Sequence, residues 1–500
     1  MKTKIKNFLN EYIKWTPPKI FTIVVFIIFI LFIGLLTFRL DNDFWFLINT
    51  GKHILSNGFP LIEPFTIHSD LHFIVQQWLT DIIFYLIYNK FGVYGIFIFT
   101  NIINIFIIML IYKLSMLISN NKIKLSVSIA IIIDLLLSIS FVTQRPQIFD
   151  ILLLLSELYL LELYIKKNNK LYLIGLPIIS LLMINLHSSL WLMIFVFLIP
   201  YIVERIINYK KEKYEMKPLL LTTIIMLLIG LINPYGIDSI IYLFNSYGID
   251  VINELVGEMK AVSVSNGLGV FISILIVMIS YYYNKGNNKV RYLLLFLGTS
   301  YLGLSHVKGV LFLLICCVLS LGYNFKNVFK KEEKQDKYYS QKSMNILFAF
   351  LFIIGISIYG ITISKIDLKE KTKPYLYEVA EYLDNNTTKD IRLYTGYNDG
   401  PYLEYRGYKC YLDTRAEVFL KSNNKKEDIL EEYYYLQTGK YNYKYFLNKY
   451  NFDYLIVSET DILYYYLEDS EYEIVFEKDL NYKTEEKDTL RYRIYKKREI

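Results

Sequence analysis

Two aspartates, Asp41 and Asp43, stand one residue apart directly after the first long apolar run of the chain. A carboxylate in such a position can accept a proton from an attacking hydroxyl group, or it can hold a divalent metal ion. An acidic pair here is equally typical of a helix that simply ends in a solvated loop. In either interpretation the pair lies at a boundary between apolar and polar surroundings.

Four more polar residues stand at the ends of later apolar runs: Arg145, His187, His306 and Lys308. The two cations suit the binding of a lipid-linked phosphate, and arginine pairs with phosphate through two parallel hydrogen bonds. They also suit the simpler role of anchoring a helix at a membrane surface. The two histidines are either substrate contacts or packing residues.

The loop between residues 40 and 92 contains a histidine pair with metal-binding spacing. His68 and His72 are four residues apart, with Asp70 between them, so a helix would place both imidazoles on one face. Pro60 and Pro64 are close by and favour a loop instead. A divalent metal ion is therefore left open as a cofactor, without an assigned set of ligands.

The elements that must position these side chains are transmembrane helices. Hydrophobic residues make up 54% of the 500 residues, charged residues 20%, and the mean hydropathy is +0.32. Apolar runs long enough to cross a bilayer of about 30 Å recur along the chain, which excludes a soluble enzyme, a disordered chain and a nucleic-acid-binding protein. We place eleven spans at residues 20–39, 93–117, 125–142, 147–165, 171–186, 188–207, 218–233, 265–284, 290–304, 308–323 and 343–364.

The positive charges predict an orientation for these spans. One set of connecting segments carries 25 lysine and arginine residues, and the opposite set, before residue 366, carries six. Since cytoplasmic loops are enriched in such residues, the protein is expected to be a multi-pass protein of the cell membrane with a cytoplasmic N-terminus. An odd number of spans then places residues 366–500 outside the cell membrane, and all five histidines fall on that outer side.

Two acidic residues, Asp134 and Glu157, stand near the middle of predicted spans. Charge at that depth is costly, so a functional role is the default hypothesis. Their helices are consecutive and antiparallel. The two carboxyl groups are therefore expected at similar depth, where they would line a polar cavity.

The chain is expected to contain two domains. Residues 1–365 form a transmembrane domain with a long first outer loop at 40–92, and residues 366–500 form an extracytoplasmic α/β domain. In the second domain, short apolar segments alternate with turn residues, a pattern that predicts short helices and strands. The helices are expected at 374–385, 425–437 and 443–450, and the strands at 391–395, 409–412, 454–457, 472–477 and 490–495.

Eight short motifs follow one another along the chain. They are Asp-Asn-Asp-Phe-Trp at 41–45 with Gly51, Glu-Pro-Phe-Thr at 63–66, Gln-Gln-Trp-Leu at 76–79, Arg-Pro-Gln at 145–147, Asn-Leu-His-Ser at 185–188, Asn-Pro-Tyr-Gly at 233–236, Asp-Gly-Pro-Tyr-Leu at 399–403 and Leu-Asp-Thr-Arg at 412–415. Their order and spacing resemble those of a large, mostly uncharacterised group of bacterial polytopic membrane proteins related to GT-C glycosyltransferases. The group usually has His-Glu where this chain has Gln76 and Gln77.

The resemblance implies a GT-C-like fold and a membrane glycosyltransferase. Such an enzyme takes a sugar from a polyprenyl-phosphate-linked donor and transfers it to an extracytoplasmic glycan, lipid or protein. The expected partners are the lipid-linked donor and membrane lipids, without nucleic acid. The resemblance places the catalytic base, or a metal-associated acid, at Asp43 with support from Asp41. The expected substrate contacts are Arg145, His187, Lys308, His306, Gln77 and Tyr235.

Two rival functions remain. A non-catalytic transporter or polysaccharide export or assembly component would use Asp134 and Glu157 in a polar path and would need no acid in the first loop. A polymerase or ligase of lipid-linked glycans would use Arg145 and His187 without a carboxylate base. A common cavity around Asp43, Arg145, His187 and Lys308 would favour the enzymes.

Overall fold

The computed structural model describes residues 40–210, 212, 214–246, 248–263, 267–283, 289–326, 372–467, 471–481 and 489–498, together with residues 24, 26 and 29. Apart from those last three residues, the expected spans 20–39 and 343–364 lie outside the described part of the chain. Elements are numbered below in chain order over the described residues.

The described residues between 40 and 326 form mainly α-helices. Four described helices, α2, α3, α12 and the segment Ser188–Ile207 that contains α6, are long and apolar enough to cross a membrane, and they indicate a membrane protein. The helices are α1 Phe44–Asn57, α2 Trp78–Ile118, α3 Ile123–Ser140, α4 Gln147–Lys167, α5 Gly175–Leu186, α6 Met193–Ile207, α7 Met216–Ile229, α8 Asp238–Ser246, α9 Asp250–Leu255, α10 Gly267–Tyr283, α11 Val290–Ser305 and α12 Val307–Asn324.

The helices differ from the expected spans most clearly at 93–117, 171–186 and 188–207. In the last of these, α6 starts only at Met193, after a 3₁₀ turn. The expected span 93–117 is the second part of the 41-residue α2, which bends at Gly92, where φ is +61°. Glycine tolerates that backbone conformation without the steric cost that a side chain would add. The expected span 171–186 begins with a 3₁₀ turn, so only twelve of its residues form the α-helix α5. Eleven spans are therefore not established by the described residues.

Helix α1 lies unusually close to α2, and Gly51 permits the approach. A Cβ atom at Gly51 would lie 2.2 Å from the backbone oxygen of Asp81. The glycine of the Asp-Asn-Asp-Phe-Trp motif therefore has a packing role. It brings the helix that follows Asp41 and Asp43 against the bundle.

We expect the substitution Gly51→Ala to destabilise the protein by about 1–3 kcal/mol, the usual cost of overpacking a close contact. The backbone of α2 cannot yield as a flexible side chain would. Thermal unfolding of the detergent-solubilised protein measures the change. Gly298→Ala in α11 is the matched control, because a Cβ atom there meets nothing within 4 Å; equal melting temperatures for the two variants would contradict the packing role.

Residues 372–498 contain a five-stranded sheet flanked by helices. The strand order is β2-β1-β3-β5-β4, with β1 parallel to β2 and β3, and β5 antiparallel to β3 and β4. The elements are α13 Tyr377–Asn386, β1 Arg392–Tyr394, α14 Gly400–Tyr405, β2 Lys409–Cys410, α15 Lys421–Asn424, α16 Ile429–Gln437, α17 Tyr443–Tyr450, β3 Tyr454–Ser458, α18 Leu463–Tyr466, β4 Tyr472–Leu480 and β5 Leu490–Lys497.

All five strands and the three longer helices occur where the sequence predicts them. The short helices α14, α15 and α18 do not follow from the sequence pattern, because one turn of helix has no periodicity to read.

The expected loop 40–92 contains helix α1 and the start of α2, so its non-helical part, called the first loop below, is residues 58–77. This loop joins the helical part to the sheet. Thr66 forms a parallel bridge with Cys410 of β2, and the Ile67 amide donates to the Cys410 oxygen at 3.0 Å. On the other side, the Trp45 ring of α1 lies 5.0 Å from the rings of Tyr402 and Tyr405 in α14. Helix α1 and the first loop are thus held between the bundle and the sheet.

A buried charge cluster at the start of α11 does not follow from the sequence pattern. Arg291, one of the 25 cations of the segments expected to be cytoplasmic, is 3% exposed. Its Nε atom lies 2.8 Å from Glu162 Oε1, and its Nη1 atom pairs with Glu204. Glu162 and Glu204 fall within predicted spans, yet only Asp134 and Glu157 were singled out there. The positive charge of Arg291 is neutralised by helices α4 and α6.

Candidate functional site

The structure brings Asp41, Asp43 and Arg145 together and adds Glu258 to them. Arg145 Nη2 lies 3.0 Å from Asp43 Oδ2, and Arg145 Nε lies 2.9 Å from Asp41 Oδ1. Arg145 Nη1 donates to Glu258 Oε1. The side chains are 19% exposed at Asp43 and 25% at Arg145, so the cluster is enclosed but still reached by solvent.

Local structure fixes each of these side chains. Asp41 and Asp43 form the turn that starts α1: the Asp43 amide donates to Asp41 Oδ1 at 3.1 Å, and the Phe44 amide donates to the Asp41 oxygen at 3.2 Å. Arg145 precedes the proline that caps α4. Glu258 lies in the 3₁₀ turn Gly257–Met259, where no motif marks it, and this explains why the sequence did not reveal it.

The sheet region, which comprises residues 372–498, closes one side of the cluster. Asn42 Nδ2 donates to the Asn398 oxygen at 2.6 Å, and the Tyr397 hydroxyl donates to the Thr414 oxygen at 2.9 Å. Burial and the charge of Asp43 raise the pKa of the Tyr397 hydroxyl group, and Thr414 lowers the pKa of the Asp43 carboxyl group. The site therefore lies between the helical bundle and the loops of the sheet.

The surroundings of Asp43 change its acidity. Burial raises the pKa of its carboxyl group from 3.8 to about 7; Arg145 opposes the rise, and the charge of Asp41 adds to it. Burial lowers the pKa of Arg145, but the carboxylates of Asp43, Asp41 and Glu258 outweigh this effect and raise it above its ordinary value. Arg145 stays charged, and Asp43 can exchange a proton near neutral pH, as a general base requires.

The donor set does not fit a divalent metal ion. The three carboxylates converge on the guanidinium group of Arg145, which already supplies the positive charge between them. The part of the chain that the structure describes contains no group of three or more His, Cys, Asp and Glu side chains that could hold a metal ion. The chemistry of this site is therefore derived from its side chains alone.

His306 stands between α11 and α12, and Lys308 is the second residue of α12; the Val307 amide between them donates to the Lys260 oxygen at 3.0 Å. Burial lowers the pKa of the His306 imidazole, and the charge of Lys308 lowers it further. Lys308 acts on the carboxyl group of Glu417, which in turn acts on Tyr397. The charge of Lys308 therefore acts on the sheet region.

His187 pairs with Asp150, a residue that the sequence did not single out. His187 Nδ1 lies 2.5 Å from Asp150 Oδ2, and the Asp150 side chain is 1% exposed. Asp150 lies in the first turn of α4, five residues after Arg145. Gln147 and Asp150 are three residues apart, a spacing that could have indicated a polar helix start. Nothing in the sequence, however, links Asp150 to His187.

Two other expected substrate contacts lie outside the cluster. The Tyr235 hydroxyl donates to the Pro60 oxygen at 3.1 Å, so Tyr235 fixes the first loop. Gln77 caps α2 without a side-chain cap bond. Next to it, Trp78 Nε1 donates to Asn185 Oδ1 at 2.9 Å, and Asn185 Nδ2 donates to the Ile232 oxygen at 3.0 Å. These bonds join the Gln-Gln-Trp-Leu and Asn-Leu-His-Ser motifs and reach Ile232, the residue before the Asn-Pro-Tyr-Gly motif, so these motifs have a structural role here.

The Glu-Pro-Phe-Thr and Leu-Asp-Thr-Arg motifs meet in a second buried cluster. Glu63 accepts hydrogen bonds from the amides of Phe65 and Thr66, at 2.9 and 2.8 Å, and from Arg415 Nη2 at 2.9 Å. Arg415 also pairs with Asp413 and with Glu404, the latter at 3.3 Å. This cluster clamps the first loop onto the sheet region.

The histidine pair of the first loop has a similar role. His68 Nε2 lies 2.8 Å from the Tyr411 oxygen, and His72 Nδ1 lies 3.2 Å from the Asn423 oxygen. Asp70 between them has a φ of +60°, so the segment is a loop, as the nearby prolines indicate. Both rings contact backbone oxygens of the sheet region, so the spacing of this pair does not correspond to a metal site.

Asp134 and Glu157 are buried in the bundle. Asp134 lies beside Asn104 of α2, whose Nδ2 donates to Ser138 Oγ at 3.2 Å. Both carboxyl oxygens of Glu157 are without a hydrogen-bond partner among the described residues. Helices α3 and α4 both pack against α2 and α12. A shared polar path between the two acids stays a prediction.

No protein-family model matches the chain, and no curated protein matches it in sequence. Its fold is similar to that of an oligosaccharyltransferase. The apo crystal structure of the Archaeoglobus fulgidus oligosaccharyltransferase has a TM-score of 0.56 at 10% identity, covering 86% of this chain and 69% of that one. The same enzyme tethered by a disulfide to an acceptor peptide containing the NVT sequon gives 0.54 at 11% identity, covering 86% and 68%.

This similarity shows a shared fold alone, because the sequence identity is low. It agrees with the expected architecture of a helical part followed by a sheet.

Proposed function

We propose that this chain is a membrane glycosyltransferase that transfers a sugar from a polyprenyl-phosphate-linked donor to an acceptor bound beside the sheet region. Asp43 removes the proton from the acceptor nucleophile. Arg145 stabilises the negative charge of the departing phosphate. In this proposal the site faces outward from a multi-pass chain with a cytoplasmic N-terminus, and residues 366–500 form an extracytoplasmic domain.

One observation carries the proposal: a carboxylic acid whose pKa is about 7 lies 3.0 Å from a charged guanidinium group, in an enclosed site between bundle and sheet. A base with that pKa accepts a proton near neutral pH, and a preorganised cation stabilises charge that develops in the transition state. The similarity to an oligosaccharyltransferase, one structure of which holds an acceptor peptide, supports the same class of reaction.

The remaining expected residues have assigned roles within this proposal. Lys308 and His306 contribute to the phosphate side of the site, and His187 contacts the donor. Tyr397 and Thr414 approach the acceptor side. In the proposed enzyme the base is Asp43, a carboxylate that pairs with Arg145. The alternative ligase would use Arg145 and His187 without a carboxylate base.

Transfer of radiolabelled sugar from a polyprenyl-phosphate-sugar donor in membranes tests the proposed function. Membranes that contain the wild-type chain are expected to move label into an acceptor fraction, and membranes without the chain are not. The transporter alternative predicts that label crosses the membrane while it stays attached to the donor lipid. That outcome would replace the proposed function with the alternative.

The rate of transfer is expected to rise with pH through about 7, because burial and the charge of Asp41 hold the pKa of Asp43 at that value. The base acts only when deprotonated, so activity is lost as the pH falls below that pKa. Asp41→Asn removes one of the charges that raise the pKa and should move the midpoint to lower pH. Initial rates at saturating donor measure both curves.

The matched control is Asp70→Asn, since Asp70 is an exposed acid of the first loop and asparagine accepts its positive φ. This variant should leave the midpoint unchanged. A wild-type midpoint near 3.8, the ordinary value, would contradict the role of Asp43 as a buried base.

A further inference from the structure

The pair formed by His187 and Asp150 has the arrangement of an oriented acid. Asp150 Oδ2 accepts the bond from His187 Nδ1, which leaves Nε2 as the free nitrogen of the ring. In the described part of the chain, the only hydrogen bond of the His187 side chain is the one to Asp150. The ring is 12% exposed, and the carboxyl group behind it is 1% exposed. A buried carboxylate at Nδ1 fixes the orientation of the ring, so that a histidinium ring held in this way presents its Nε2–H for donation.

Asp150 of the pair lies in the first turn of α4, and Arg145 stands two residues before that helix begins, so both residues belong to the same end of the helix. His187 lies at the junction of α5 and the next 3₁₀ turn, and the following amide, of Ser188, donates to the Gln76 oxygen at 2.8 Å. The pair is thus fixed on two elements at the same end of the bundle as the Asp43 cluster.

Polar atoms that lack partners occur in the segment that precedes α4 and directly after His187 in the chain. The side-chain oxygens Thr143 Oγ1, Gln144 Oε1 and Ser188 Oγ are buried and without a hydrogen-bond partner among the described residues. Thr143 is 6% exposed, Gln144 1% and Ser188 2%. Buried polar atoms are nearly always hydrogen-bonded in folded proteins, so a polar ligand is expected here. The start of α4 adds a partial positive charge that favours an anion.

We propose that His187 is the acid that protonates the departing phosphate of the sugar donor, and that Asp150 is its positioning residue. This assignment rests on the proposed function. Asp43 and His187 then act at opposite ends of the same substitution, one on the acceptor and one on the leaving group.

The step balances as follows. The acceptor oxygen forms a bond to the anomeric carbon of the sugar and gives its proton to the Asp43 carboxylate. The bond between the anomeric carbon and the phosphate oxygen breaks, and its electron pair stays with the phosphate. The proton on His187 Nε2 passes to that oxygen, so polyprenyl phosphate leaves as the monoanion. Solvent later takes the proton from Asp43 and returns one to His187.

A series of donors with increasingly acidic leaving groups tests the assignment: polyprenyl, phenyl and nitrophenyl phosphodiesters of one sugar. With the polyprenyl donor, His187→Gln should lower kcat by about 10²–10⁴-fold, the usual contribution of an acid catalyst, with little change in KM. The defect should shrink along the series, because a more acidic phosphate needs less protonation. Asp150→Asn should show a smaller defect with the same trend.

Two controls make the outcomes distinct. Asp43→Asn should lose the same factor with every donor, because it acts on the acceptor. His53→Gln should behave as wild type, since the His53 ring on α1 contacts Asn57 of the same helix. An equal loss for His187→Gln with every donor, or a change in KM alone, would overturn the assignment of His187 and leave the proposed function intact. A wild-type chain that transfers from none of the donors would overturn both.

Discussion

Substitution of Asp43 by asparagine is expected to reduce sugar transfer by at least about 10²–10⁴-fold, the range that a general base usually contributes. Asparagine keeps the shape of the side chain and can still contact Arg145, but it cannot accept the proton of the nucleophile. Binding of the donor should change little, because Arg145 remains in place. The loss should therefore appear in kcat and only weakly in KM.

The measurement is transfer of labelled sugar in membranes that contain equal amounts of inserted protein. Asp70→Asn is the control, because it makes the same chemical change at an exposed residue of the first loop. Asp41→Asn should be intermediate, because it alters the surroundings of Asp43 without removing the base. Wild-type kcat in Asp43→Asn, at normal insertion, would rule out Asp43 as the base.

Substitution of Arg415 by methionine is expected to have the largest effect on stability, a loss of about 3–5 kcal/mol. Arg415 is 3% exposed and pairs with Glu63, Asp413 and Glu404. Burial raises the pKa of Glu404 well above its usual range, and the charge of Asp413 adds to the rise. Removing the only cation of this cluster among the described residues leaves buried carboxylates uncompensated, which costs far more than loss of an exposed pair.

The expected result is a lower unfolding temperature and faster proteolysis at the junction between the first loop and the sheet region. Arg406→Met is the matched control: Arg406 pairs with Asp384 at the surface and is 25% exposed, so its loss should cost about 1 kcal/mol or less. Adding Glu63→Gln to Arg415→Met should recover part of the stability. Similar melting temperatures for Arg415→Met and Arg406→Met would show that the cluster does not clamp the two parts.

Much of the fold follows from local sequence pattern. The strands β1 to β5 occur where alternating apolar residues end at turn residues, and α16 and α17 occur where the helical period holds. Long apolar runs indicate membrane helices for the same reason, since burial acts on each segment separately. The bend at Gly92 and the short helices of the sheet region depend on packing, and the pattern does not contain them.

The candidate site follows from the sequence only in part. Asp41, Asp43 and Arg145 could be singled out because each stands at the end of an apolar run, where a polar residue is conspicuous. Glu258 and Asp150 could not, because their importance comes from the partner that each one meets. The resemblance implied substrate contacts at Tyr235 and Gln77, and that role stays a prediction; in the structure the Tyr235 hydroxyl donates to the Pro60 oxygen.

The sequence by itself determined a chain of apolar helices with a C-terminal α/β region, and it marked the acids and cations at the helix ends. Only the tertiary structure decided that Arg145 meets Asp41, Asp43 and Glu258, and that Arg415 meets Glu63 across 352 residues. Apolar periodicity is a local property that every segment records in its own residues. Pairing of charges is a property of two distant segments, fixed by how the helices and the sheet pack together, and neither segment alone specifies it.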